Sequence, residues 1–182
     1  MKIIFLGPQG SGKSTQAELL SESLSLPRIE MGQLFRDIAT TDETKQAEDI
    51  KKSLSSGVLV PDEIAVKTLH HELEKPKYRG GFVLDGYPRN IYQYSGLNFK
   101  PDSVFYVKVS DEEAIKRLAK RSREDDTPEL LEKRLNVYHE LTEPLLERFE
   151  KEGILKEING ERTIEEIHEE IENVLKNENK SN

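Results

Sequence analysis

Early in the chain a lysine and two hydroxyl residues close a glycine-rich run, Gly7-Pro8-Gln9-Gly10-Ser11-Gly12-Lys13-Ser14-Thr15. Its spacing is that of a phosphate-binding loop, G-x-x-x-x-G-K-[ST]. Glycines let the backbone curl until successive N–H groups point inward, at the positive end of the helix that follows. A triphosphate fits such a cradle, with Lys13 reaching its β- and γ-phosphates and Ser14 offering an oxygen to Mg²⁺. Further on, Leu84-Asp85-Gly86-Tyr87-Pro88-Arg89 ends an apolar run with an acid, a turn and a cation. Ligands of open parallel sheets sit beyond the carboxyl ends of the strands, which puts Asp85 and Arg89 in one cleft with Lys13. Asp85 then reads as an outer ligand of Mg²⁺ or, alternatively, as a turn acid capping the next helix. Arg36, Arg89, Arg117, Arg121, Arg123 and Arg134 fall on segments that face this cleft. Singly each reads as a solvated surface charge. As a set beside a phosphate loop they read as forks for phosphoryl oxygens.

Positioning such groups takes strands alternating with helices. Short apolar runs at 3–6, 82–84, 104–109 and 154–158 are separated by stretches whose apolar residues recur at three and four. That alternation implies an α/β fold with a parallel sheet covered on both faces. A fifth strand is expected at 27–31, where Arg28 and Glu30 mark an edge or a strand ending at a site. Ser110 with Glu113, and Thr163 with Glu166, have the spacing of reciprocal helix caps. Pro128 after Thr127 fits the first turn of another helix. Residues 32–60 contain amphipathic helices without a strand pattern and read as a small helical insertion. Residues 121–127 carry no apolar side chain and must form a solvated loop. The polar stretch from 177 to 182 is expected to fray. No repeat, low-complexity segment or inter-domain linker interrupts the pattern.

The chain has 182 residues with 27 Lys+Arg against 35 Asp+Glu, a net charge of −8, so it makes one domain whose acidic balance disfavours binding a nucleic-acid backbone. With zero cysteines, disulfides, cysteine-ligated zinc and thiol chemistry are excluded, and a cytoplasmic setting is the default. The apolar run at 3–6 is too short for a signal core or a membrane span. His70, His71, His139 and His168 have no metal-ligand spacing, which leaves no zinc site, and read as solvated helix residues.

Over nearly its whole length the sequence resembles the adenylate kinases of the nucleoside monophosphate kinase family. The resemblance is carried by the phosphate loop through Gln16 and by Asp85-Gly86-Tyr87-Pro88-Arg89-Asn90-Ile91-Tyr92-Gln93, with Asn90 in place of the family's threonine. It extends through Lys116-Arg117-Leu118-Ala119-Lys120-Arg121, Arg123-Glu124-Asp125-Asp126, Glu129, Arg134-Leu135, Pro144-Leu145-Leu146 and Asn159-Gly160. It implies a three-layer P-loop NTPase-type fold on a central five-stranded parallel sheet (core 1–31, 61–121 and 128–176). A nucleoside-monophosphate-binding insertion would occupy 32–60, and 122–127 would form an abbreviated lid.

The implied reaction is reversible, Mg²⁺-dependent phosphoryl transfer from ATP to AMP, giving two ADP, by a cytoplasmic monomer without nucleic-acid or membrane partners. By this resemblance Gly10, Ser11, Gly12, Lys13, Ser14 and Thr15 cradle the ATP phosphates. Arg117 lies against the adenine, Arg121 on its phosphates, and the backbone near Arg162 beside the base. Arg36 and Arg89 hold the AMP phosphate, while Arg123 and Arg134 bridge the two nucleotides. Gly86 and Gln93 meet the AMP base, and Leu54, Val58, Leu59 and Val60 pack on its ribose and base. A glutamine amide can pair with both the amino group and a ring nitrogen of adenine. Where the family has Thr-Gly-Asp, this chain has Met31-Gly32-Gln33, so an AMP-contacting hydroxyl and a magnesium-positioning acid are replaced. Ser14 stands at a position where the family usually has glycine. A kinase for CMP or UMP on the same fold, and a nucleotide-sensing module without transfer, are the competing functions.

Overall fold

Strand β1 (Lys2–Leu6) runs through the middle of the sheet, and every residue of it after Lys2 is buried. The computed structural model describes residues 1–121 and 127–181, the side chains at 121 and 179–181 excepted. Around β1 lie β2 (Arg28–Glu30), β3 (Phe82–Asp85), β4 (Ser103–Lys108) and β5 (Leu155–Asn159) in the order β2-β3-β1-β4-β5. All pairings are parallel, with Phe5 beside Asp85 on one side and beside Phe105 on the other.

Alternation along β1 builds two cores. Ile4 and Leu6 join Leu84, Leu69 and Phe149 on one face, while Ile3 and Phe5 join Val83, Phe105, Leu20 and Ile171 on the other. The covering helices are α1 (Lys13–Ser23), α2 (Met31–Thr41), α3 (Lys45–Ser56), α4 (Asp62–Leu73), α5 (Ile91–Ser95), α6 (Asp111–Arg121), α7 (Pro128–Val137), α8 (Leu146–Lys151) and α9 (Ile164–Ser181). A π-helical turn, Tyr138–Thr142, follows α7. Leu69 belongs to α4 and Phe149 to α8; Leu20 belongs to α1 and Ile171 to α9, so each face has its own pair of helices.

The expected strand at 27–31 is shorter, because Met31 already begins α2. Of the two expected caps, Thr163 and Glu166 bond reciprocally at 3.0 and 3.3 Å. Ser110 accepts from Glu113 N at 3.4 Å, but its own N–H donates to Glu161, and Glu113 pairs instead with Arg117. Thr127 caps α7 ahead of Pro128. Helix α9 extends into the stretch from 177 expected to fray. Glu178 accepts from Ser103 at 2.9 Å and pairs with Lys156 at 2.7 Å, and α9 continues to Ser181.

The histidines fit the expected solvated positions only in part. His71 and His139 are exposed, His139 lying between Asp111 and Glu143, whereas His70 is partly buried and bonds Gly96 O at 2.8 Å. His168 is partly buried against Glu172. Residues 122–126 of the expected short lid lie outside the described residues.

Candidate active site

The phosphate loop turns where β1 ends and α1 begins. Gly10 adopts φ +84°, and a Cβ there would fall 2.5 Å from Ala114 O, so only glycine lets the loop lie this close to α6. Gly12 occupies the N-cap of α1 in the left-handed conformation without a side-chain cap, which leaves the positive end of the helix facing the loop. Lys13 is buried at 8% exposure and donates to Pro8 O at 3.1 Å. Thr15 is exposed and Ser11 fully buried. Arg117, from α6, donates to Gly160 O at 2.8 Å and to Ser11 O at 3.5 Å, so its guanidinium spans the loop and the end of β5.

Asp85 ends β3 at 2% exposure, and its Oδ1 has no hydrogen-bond partner among the described residues. It does not cap the next helix. Asn90 does, accepting from Gln93 N at 2.9 Å. Arg89 is partly open to the cleft, and its Nε donates to Gly86 O at 2.9 Å. Burial holds this guanidinium below the usual arginine range, against the pull of Asp85 and with the help of nearby Arg134. Arg134 reaches across from α7 to Leu54 O at 3.2 Å, and Lys133 reaches Ser56 O at 2.7 Å, so α7 is stapled to the end of α3.

One cleft collects most of the expected residues. Lys13, Ser14 and Asp85 line it with Met31, Arg36, Gly86, Arg89, Gln93 and Arg134, and Leu54, Val58, Leu59 and Val60 form its apolar wall. Gly10, Ser11, Gly12, Thr15, Arg117 and Arg162 are not in that lining. Arg162 pairs with Glu170 and bonds Asn159 O at 3.4 Å. The side chain of Arg121 and all of Arg123 fall outside the described residues.

Gln93 is less available than its sequence position suggests. Its Oε1 accepts from Arg89 N at 2.8 Å and its Nε2 donates to Asp62 Oδ1 at 2.9 Å. One N–H and one lone pair remain for a base. Asp62 also accepts from Asn90 at 2.7 Å and was missed in the sequence; the only signal was an acid in the first turn of a helix, which usually means dipole compensation. Tyr138 and Thr142 were missed as well. Thr142 donates to Arg89 O at 2.8 Å, and the buried Tyr138 hydroxyl has a pKa raised far above the phenol range by burial. Glu30 and Phe35 also line the cleft.

A parallel sheet with a phosphate cradle at its central strand, and arginines from α2, α5's approach and α7 meeting in a facing cleft, defines the class of P-loop nucleotide-binding proteins. The family model described as adenylate kinase matches residues 5–154. The adenylate kinase of Mycolicibacterium smegmatis is 40% identical over 174 residues, covering 92% of this chain and 94% of that protein. Those of Thermobifida fusca and Archaeoglobus fulgidus are 37% and 33% identical, covering 97% and 96% of this chain and 98% of each relative. The chain belongs to the adenylate kinase family and is a nucleoside monophosphate kinase.

Proposed function

We propose that this chain carries out reversible phosphoryl transfer from ATP to AMP, giving two ADP, with the donor phosphates on the loop at Lys13 and the acceptor in the cleft beyond Asp85. The observation that supports this reading best is the meeting of Lys13, Asp85, Arg36, Arg89 and Arg134 around one cleft with an apolar wall. The acceptor phosphate is already an anion, so no strong base is required. The difficulty is repulsion between two anionic groups, which the lysine and arginines offset while fixing their line of approach. Arg89 and Arg36 take the acceptor phosphate, and Arg134 lies between the compartments. The helices of 32–60 serve as the acceptor arm, and 122–127, with Arg121 and Arg123, as a short lid.

Mg²⁺ fits the oxygen donors here: Asp85 offers a buried carboxylate oxygen without a hydrogen-bond partner among the described residues, and Ser14 lines the same cleft. Bound with ATP, it would neutralise developing charge on the phosphoryl oxygens. Among the described residues no group of three His, Asp or Glu could hold a metal ion. Among them, too, no helix is long and apolar enough to cross a membrane. We take the working form to be a cytoplasmic monomer.

A coupled assay of AMP, CMP, UMP and GMP with ATP or GTP tests the reading. ATP with AMP is expected to be the fastest pair. Faster CMP or UMP turnover would assign the chain to the pyrimidine branch, and nucleotide binding without turnover would make it a sensor.

A further inference from the structure

At the mouth of the acceptor cleft, Arg36 already has an anion. Its Nη2 donates to Glu30 Oε1 at 3.0 Å and to Gln33 Oε1 at 2.9 Å, and its Nε donates to Gln33 Oε1 at 3.1 Å. A guanidinium has five N–H donors, so these bonds use the Nε and Nη2 side and leave the Nη1 pair. Nη1 lies over Gly32, where an added Cβ would sit 3.4 Å from it. Guanidinium groups frequently grip a phosphate by two parallel N–H bonds, and the Nε and Nη2 edge is one of the pairs that can do so. That edge is occupied here by protein oxygens. Glu30 also pairs with Arg28 at 3.2 Å, and its side chain is 24% exposed, so it is neither buried scaffold nor free surface charge.

We propose that Glu30, aided by the Gln33 carboxamide, is an internal stand-in for the acceptor's phosphate, occupying Arg36 until an incoming nucleotide displaces it. This rests on reading Arg36 as an acceptor-phosphate ligand. The cluster of Arg28, Glu30 and Arg36 carries one net positive charge with the carboxylate present and two without it. A bare anion must compete with a carboxylate already in place, whereas a nucleoside monophosphate also gains contacts along the apolar wall at Leu54, Val58 and Val60. Glu30 thereby makes the acceptor site selective for nucleotides over inorganic phosphate, at a cost in acceptor affinity. It is a positioning residue, acting through Arg36.

The test compares E30Q and R36A, singly and together, with AMP as acceptor and inorganic phosphate as inhibitor. E30Q is expected to lower KM for AMP by about two- to fivefold, the range of a partly exposed ion pair, with a smaller change in kcat. Inhibition by phosphate, competitive with AMP, should strengthen by a similar factor. R36A should raise KM for AMP, and in that background E30Q should have no effect on it. Q33E, which adds a second carboxylate to the same guanidinium on an exposed helical turn, should raise KM and so tests the idea even if E30Q folds poorly. If R36A leaves KM unchanged, the acceptor role of Arg36 fails. If R36A raises it but E30Q raises KM or leaves it and phosphate inhibition unchanged, the stand-in is overturned while the kinase reading stands.

Discussion

In the turn between β3 and α5, Arg89 combines a backbone anchor with a charge that burial disfavours; such a group is retained for what it binds more than for what it holds. Arg89→Ala should therefore lower kcat/KM for AMP by more than tenfold, about 1.4 kcal/mol or more, with little change in thermal midpoint. A loss smaller than tenfold in a coupled assay would remove Arg89 from the acceptor-phosphate site. Gln93 behaves differently, because its amide serves both Asp62 and the Arg89 N–H. Gln93→Leu leaves the partly buried Arg89 N–H without this acceptor and removes one of the two donors that Asp62 shares with Asn90, at about 1–3 kcal/mol for the lost acceptor, so the midpoint should fall along with AMP turnover, and AMP should suffer more than CMP. An unchanged midpoint would mean that the amide faces only the base.

Helix α9 is closed at its start by the reciprocal bonds of Thr163 and Glu166. Thr163→Ala should cost about 1 kcal/mol in denaturant unfolding and leave acceptor choice untouched, since α9 packs on the face of the sheet away from Leu69 and Phe149. This cap was legible because both partners lie within one turn. Ser110 shares the spacing, yet its N–H goes to Glu161, 51 residues away, a partner no local pattern announces. The same division holds through the molecule. Strand positions and the cradle follow from periodicity and from glycine spacing, which are local, and Asp85 and Arg89 follow from where strands must end. The bonds that occupy Gln93 and the clamp on His139 depend on which elements become neighbours. Arg36's partners are local, but a helix periodicity does not say which rotamer a long side chain takes.

At the scale of the whole molecule, His139 ties the start of α6 to the turn after α7, bonded to Glu143 at 2.7 Å and Asp111 at 2.9 Å. Chiefly the Glu143 bond, and then Asp111, raise the imidazole pKa above its ordinary 6.5, against partial burial. A raised pKa in the folded state means stability that is fully present below the ordinary value and is lost as pH climbs through the raised one. Wild type should therefore lose denaturant stability relative to His139→Gln as pH rises from about 6 to about 8; parallel curves would show that the tie carries no charge. A last consequence lies in the position of β1. Its partners β3 and β4 are drawn from residues 82–85 and 103–108, so during synthesis a strand that is apolar in every residue after Lys2 waits for both neighbours. At roughly 5–20 residues per second the wait is on the order of 5–20 s. The segment that presents the nucleotide cradle is thus also the one that a holding chaperone would meet first, and slowing translation between β1 and β4 should lengthen its exposure and increase aggregation of the nascent chain.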